Sequence, residues 1–151
     1  MTRLARIVFG GSMVFVVATR PAAPAAAAVD PCSLLTPAQV AAALGVPEVK
    51  TSQGEKRCGW VPKKYAPGSK QAYLQLEDEK GFEAARTRPA GVVTPVNGIG
   101  DAAVQVTTQG IRTILTVKKK DVVFAVSVMG LPVDQAKTAE QTLAKQAVSK
   151  L

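Results

Sequence analysis

The chain has 151 residues, 19 Lys and Arg against 11 Asp and Glu, a formal charge of +8 and an apolar content of 47%. A single domain fits that length and two do not. Histidine is absent from the sequence, which excludes an imidazole base, a Ser-His-Asp triad and a histidine metal site.

Residues 1–28 read as a cleaved secretory signal. Arg3 and Arg6 precede a short apolar run from Ile7 to Thr19, and the segment closes on small residues through Ala28, after which the cut is expected. A retained membrane anchor is the competing reading, but a spanning helix needs about 20 apolar residues, and this run stops at Arg20-Pro21. Arg3, Arg6 and Arg20 leave with the signal while every acidic residue stays, so the remaining domain, 29–151, is only mildly basic. Such a charge suits solubility, or a surface facing anionic envelope material. Nucleic acid is not an expected partner for an exported chain with so few aromatics. The destination is periplasmic or extracellular, without a stable membrane anchor.

Two cysteines, Cys32 and Cys58, both follow the signal, and an even count in an exported chain reads as a disulfide. The alternatives are lipid attachment at Cys32, disfavoured by Asp30-Pro31 before it, and a metal site, for which two thiolates are too few.

Thr36 then caps a short helix with Pro37 at its first position, running to Leu44 and ended by Gly45. Leu35, Val40 and Leu44 face inward. Residues 48–52 and 56–62 read as strands paired across 53–55. Residues 71–78 alternate, with Ala72, Leu74 and Leu76 on one face and Tyr73, Gln75 and Glu77 on the other. A short helix is expected over 82–88, and the Gly- and Pro-rich stretch 90–101 reads as a connector. Three antiparallel strands follow at 102–108, 111–118 and 122–129. Their expected inward sets are Ala102, Val104 and Val106; Ile111, Thr113, Leu115 and Val117; and Val122, Phe124, Val126 and Val128. A final helix, 133–150, turns Ala136, Ala139 or Glu140, Leu143, Ala147 and Leu151 to one stripe. The expected fold is α+β: an antiparallel sheet of five to six strands, covered on one face by the short N-terminal and long C-terminal helices.

Motifs for nucleophilic catalysis or nucleotide binding are missing from the sequence. Asn97-Gly98-Ile99-Gly100-Asp101 reads as turn geometry, Glu77-Asp78-Glu79 as a solvated turn, and Lys118-Lys119-Lys120 as a hairpin tip. Trp60, two residues from Cys58, either packs beside the bridge or forms an exposed platform with Tyr65 and Tyr73.

The Asp30-Pro31-Cys32-Ser33-Leu34-Leu35-Thr36 opening, Leu44-Gly45, Cys58-Gly59-Trp60 and Gly98-Ile99-Gly100-Asp101-Ala102, in that order, resemble a family of uncharacterised exported proteins and lipoproteins best known from actinobacteria. The resemblance spans nearly all of 29–151. It implies the fold and a Cys32–Cys58 bridge, and supplies no catalytic residue.

The expected function is a non-enzymatic extracytoplasmic domain, monomeric and without metal or cofactor, binding a small ligand, an envelope component or a protein. Its candidate surface is Trp60, Tyr73, Gln75, Arg112 and Thr116. The alternatives are a carboxylate-based, cell-wall-directed enzyme drawing on Glu77, Glu79, Glu83 and Asp101, or a structural or inhibitory module.

Overall fold

A computed structural model describes residues 28–151. The export signal expected over 1–28 therefore lies outside the described residues, apart from Ala28. A 3₁₀ turn, Pro31–Ser33, opens the domain and is capped by Asp30, whose Oδ1 accepts from Cys32 N at 2.9 Å. Helix α1 (Pro37–Leu44) begins in a capping box: Thr36 Oγ1 accepts from Gln39 N at 3.2 Å, and Gln39 Oε1 accepts from Thr36 N at 2.8 Å. Strands β1 (Val49–Gln53), β2 (Arg57–Pro62) and β3 (Gln71–Glu77) form one meander. Helix α2 (Glu79–Arg86) leads to β4 (Val92–Pro95), β5 (Ala102–Thr108), β6 (Arg112–Lys119) and β7 (Val122–Met129), a second meander, and helix α3 (Val133–Val148) ends the fold.

The sheet has seven strands in the order β1-β2-β3-β7-β6-β5-β4, every neighbour antiparallel. The two meanders meet where β3 pairs with β7. Helices α1 and α3 cover one face, as the α+β pattern predicts. The core under them holds Leu74, Leu115, Phe124, Val126 and Leu143, all inaccessible to solvent. Burying each such side chain stabilises the fold by roughly 1.5–3 kcal/mol.

Four expectations need correction. The connector 90–101 contains β4, a seventh strand. Its Pro95 is tolerated because β4 is an edge. Helix α2 starts three residues earlier than expected, because Asp78 Oδ1 accepts from Gly81 N at 2.9 Å, so Glu77-Asp78-Glu79 is a helix start and not merely a solvated turn. The inward set of β5 is Ala103 and Gln105: Gln105 registers with Leu115, while Val104 lies on the opposite face with Phe82 and Val123. Ile111 belongs to the Gln109-Gly110 turn and is 76% exposed.

The Cys32–Cys58 disulfide is present, with Cα atoms 5.1 Å apart, and ties the opening turn to β2. Gly130 ends β7 at φ +80°, and a Cβ there would lie 2.6 Å from Ser69 O. Gly130→Ala is expected to cost about 2 kcal/mol or more, read as a lower denaturant midpoint, since both the conformation and the space oppose a side chain.

Candidate functional site

Topology dictates where a site can form. Helix α2 carries the chain from β3, in the middle of the sheet, to β4 at its edge, and it crosses the face that α1 and α3 leave free. Phe82 pins it there against Val104 and Val123. Gly81, Ala84 and Ala85 are small, so a groove of about 350 Å³ remains between helix and sheet. That volume lies within the usual range for small-molecule sites.

The floor is set by strand register. Arg57, Gln75, Ala125 and Thr116 form one row across β2, β3, β7 and β6. Tyr73 and Ser127 are opposite each other in the next row. Ala125 and Ser127 are small residues in the middle of the sheet, and this is what makes the face concave. Four members of the sequence-derived surface therefore converge: Tyr73, Gln75, Arg112 and Thr116 all line the groove. The fifth does not. Trp60 is 1% exposed and lies in the core on the other face beside Cys58, because Arg57 and Gly59, not Cys58 and Trp60, point toward the groove. No platform with Tyr73 forms, and Tyr65 is exposed in the loop after β2.

Gly59 is what lets Tyr73 lie flat. A Cβ at Gly59 would be 2.8 Å from Tyr73 Cε1, so the ring covers the glycine across the strand pair, an arrangement known to compensate for a missing side chain. The Arg57 guanidinium stacks at 4.0 Å from the ring centroid, and Tyr73 Oη donates to Gln71 Oε1 at 2.7 Å. Gln75 Nε2 donates to Glu77 Oε1 at 2.9 Å. Arg57, Arg88 and Ser127 were missing from the expected surface. Arg57 and Ser127 could have been placed by alternation from Cys58 and Phe124, but nothing local marks Arg88.

Several charges elsewhere are paired, those at the β6–β7 hairpin among them. Lys118 Nζ is 2.7 Å from Glu79 Oε2 and Lys119 Nζ is 2.9 Å from Asp101 Oδ1, while Lys120 Nζ donates to Leu151 O at 2.9 Å. Asp101 Oδ2 also accepts from Lys120 N at 2.6 Å, and this backbone bond, with Lys119 beside it, holds the Asp101 carboxyl below the usual carboxylate range. The Asn97–Asp101 segment is thus a turn locked to the β6–β7 hairpin. Glu83 pairs with Arg86 at 3.0 Å. Glu77 lines the groove, whereas Glu79, Glu83 and Asp101 do not. Among the described residues no three acidic or thiol side chains gather as metal ligands.

A second polar cluster lies on the helix-covered face. Glu140 of α3 is fully buried, and its Oε1 accepts from Val128 N at 2.9 Å. Its Oε2 accepts from Gln105 Nε2 at 2.6 Å, and the same amide donates to Thr113 Oγ1. The cluster occupies a split in the sheet: β6 and β7 pair from Lys119↔Val122 to Leu115↔Val126 and no further, so Val128 N is free to bond the carboxylate. Burial pushes the Glu140 carboxyl up to about 7, against the opposing effects of Val128, Gln105, Thr113 and the nearby Lys137. Among the described residues Gln105 Oε1 has no hydrogen-bond partner.

Among the described residues no helix is long and apolar enough to cross a membrane. Comparison with known protein families, with curated proteins and with solved structures finds no match to this chain.

Proposed function

We propose that this is an extracytoplasmic binding domain, not an enzyme, and that its small ligand occupies the groove between α2 and the sheet. The supporting observation is a concavity built into the centre of the sheet and lined by converging polar groups: Arg57, Gln75, Arg112, Thr116 and Ser127. Sites of this kind fix a ligand with a few placed polar groups against a rigid floor. The carboxylate-enzyme reading is less well supported. It needs two carboxylates in one cleft, roughly 5–10 Å apart, and Glu77 is the single carboxylate lining this one among the described residues. The disulfide fits an oxidising compartment and so supports export.

Native mass spectrometry of the exported protein, purified from its own envelope, tests the reading. A bound small molecule is expected. Ala84→Trp, on an exposed position of α2 that faces the groove, is expected to remove it while leaving the fold intact by circular dichroism. A molecule retained equally by Ala84→Trp would place binding elsewhere and defeat the proposal.

A further inference from the structure

Resting on the groove as the binding site, we propose that its ligand is an anion, carrying a phosphate or carboxylate group held by Arg88 and Arg112. Three arginines, Arg57, Arg88 and Arg112, line the groove against one carboxylate, Glu77. Among the described residues none of the three is in an ion pair, whereas Arg86, the other described arginine, pairs with Glu83 outside the groove. Three arginines against one carboxylate give the groove lining a net positive charge, which a bound anion neutralises.

The charge is polarised along the groove. Glu77 marks the end where α2 begins, since a Cβ on Gly81 would lie 2.9 Å from Glu77 Oε2. The other end is where α2 finishes. Gly91, three residues beyond Arg88, lies against Val106 and Thr108, and Thr108 is the register partner of Arg112. Arg88 and Arg112 therefore approach the cavity from the same end, one from the helix side and one from the sheet. A guanidinium offers a planar fork of donors that matches two oxygens of a phosphate or carboxylate. Ser127, half-buried, and Thr116, 4% exposed, add hydroxyls on the floor. Arg57 is held over Tyr73 at the side of the groove. The remaining lining is Gln75 together with Ala84, Ala85, Ala125 and Ile114, so the part of the ligand beyond its charged group meets mainly apolar surface.

The test uses the exported protein at low ionic strength, titrated with inorganic phosphate in one arm and acetate in another, with chloride as control, and followed by amide NMR spectra. Saturable shifts are expected at residues around Arg88, Arg112, Thr116 and Ser127, with a dissociation constant on the order of 1 mM for the better probe. The better arm identifies the anionic group. Arg112→Gln and Arg88→Gln are each expected to weaken it about tenfold or more, and Lys63→Gln, outside the groove, to leave it unchanged. Shifts spread over the surface lysines, no shifts in the groove with either probe, or equal weakening by Lys63→Gln would overturn the anion assignment. The native mass experiment separates this from the groove itself. An uncharged molecule evicted by Ala84→Trp would retain the groove and defeat the anion, whereas a molecule indifferent to Ala84→Trp would defeat both.

Discussion

Glu140→Gln is expected to flatten the pH dependence of stability, and Glu140→Ala to destabilise the protein by about 3 kcal/mol or more near pH 5. Alanine leaves Val128 N–H without its acceptor and Gln105 Nε2 with Thr113 Oγ1 alone, in a site closed to water. Each buried group so stranded costs roughly 1–3 kcal/mol, to which a cavity is added. The pH effect follows from the carboxyl being raised from 4.5 to about 7 in the folded protein. Between those values the folded state holds a proton that the unfolded state has released. Stability from this group is therefore greatest below about 4.5 and falls as pH rises through 7, by roughly 3 kcal/mol in all. Asp101 acts in the opposite sense and in a different window: its carboxyl is lowered from 3.8, so its contribution is present above that value and is lost on acidification. These two contributions are present together only between their windows, above the Asp101 range and below that of Glu140. Glutamine keeps an acceptor for Val128 N–H, and rotation of the Gln105 amide would present the unpartnered Oε1 to the new NH₂ group. Urea unfolding at about pH 5 and about pH 8 reads both variants. A wild-type stability that is level across that interval, or a slope that survives Glu140→Gln, would contradict the assignment.

Removing the disulfide is expected to cost about 3.5 kcal/mol, the chain-entropy estimate for a loop of this size, given the separation of 26 residues between Cys32 and Cys58. The estimate gains force from what else holds the opening segment. Leu34 and Leu35 are buried, but the polar link from Asp30 to β1 is a long, exposed contact, Gln53 Nε2 to Asp30 Oδ1 at 3.5 Å. Paired Cys32→Ala and Cys58→Ala substitutions are a cleaner test than serine, since Cys58 is fully buried and a hydroxyl there would need a partner. The denaturant midpoint of the double variant should match that of the reduced wild type. Equal midpoints for oxidised and reduced wild-type protein would show that burial of Leu34 and Leu35 suffices alone.

Legibility in the sequence varied from element to element for physical reasons. Helix α1 was readable because its stop and start signals are local: Thr36, Pro37 and Gly45 act within one turn. The phases of β3 and β7 were readable because one face of each is uniformly apolar. In β5 the same rule misleads. Val104 and Val106 are the more apolar set, yet they face α2, because Phe82 needs an apolar floor and Gln105 is required inside by Glu140. A polar residue whose partner is distant in sequence carries no local sign of being buried. Strand β4 was hidden by Gly91 and Pro95 and exists through its pairing with β5. For the candidate site, alternation placed Tyr73, Gln75, Arg112 and Thr116 on one face. The groove itself depends on the path of α2, which only the order of strands determines. Trp60 packs beside the bridge, as one of its two readings had it, and fails only as a member of the candidate surface, because Cys58-Gly59-Trp60 fixes which residues share a face but not which face is dry.

The junction of the two meanders also bears on how the chain finds its fold. Within each meander, partners are neighbours in sequence and close as hairpins. Across the junction, Gln71 must find Met129 and Glu77 must find Val123. Closing so long a loop spends entropy before any contact rewards it, and pairings of this kind slow folding. The disulfide lies wholly within the first half and does nothing to shorten that search. Kinetically, the β3–β7 seam is where two locally formed halves become one cooperative unit, and the groove acquires its floor at the same moment, since Gln75 and Tyr73 come from one half and Ala125, Ser127 and Thr116 from the other.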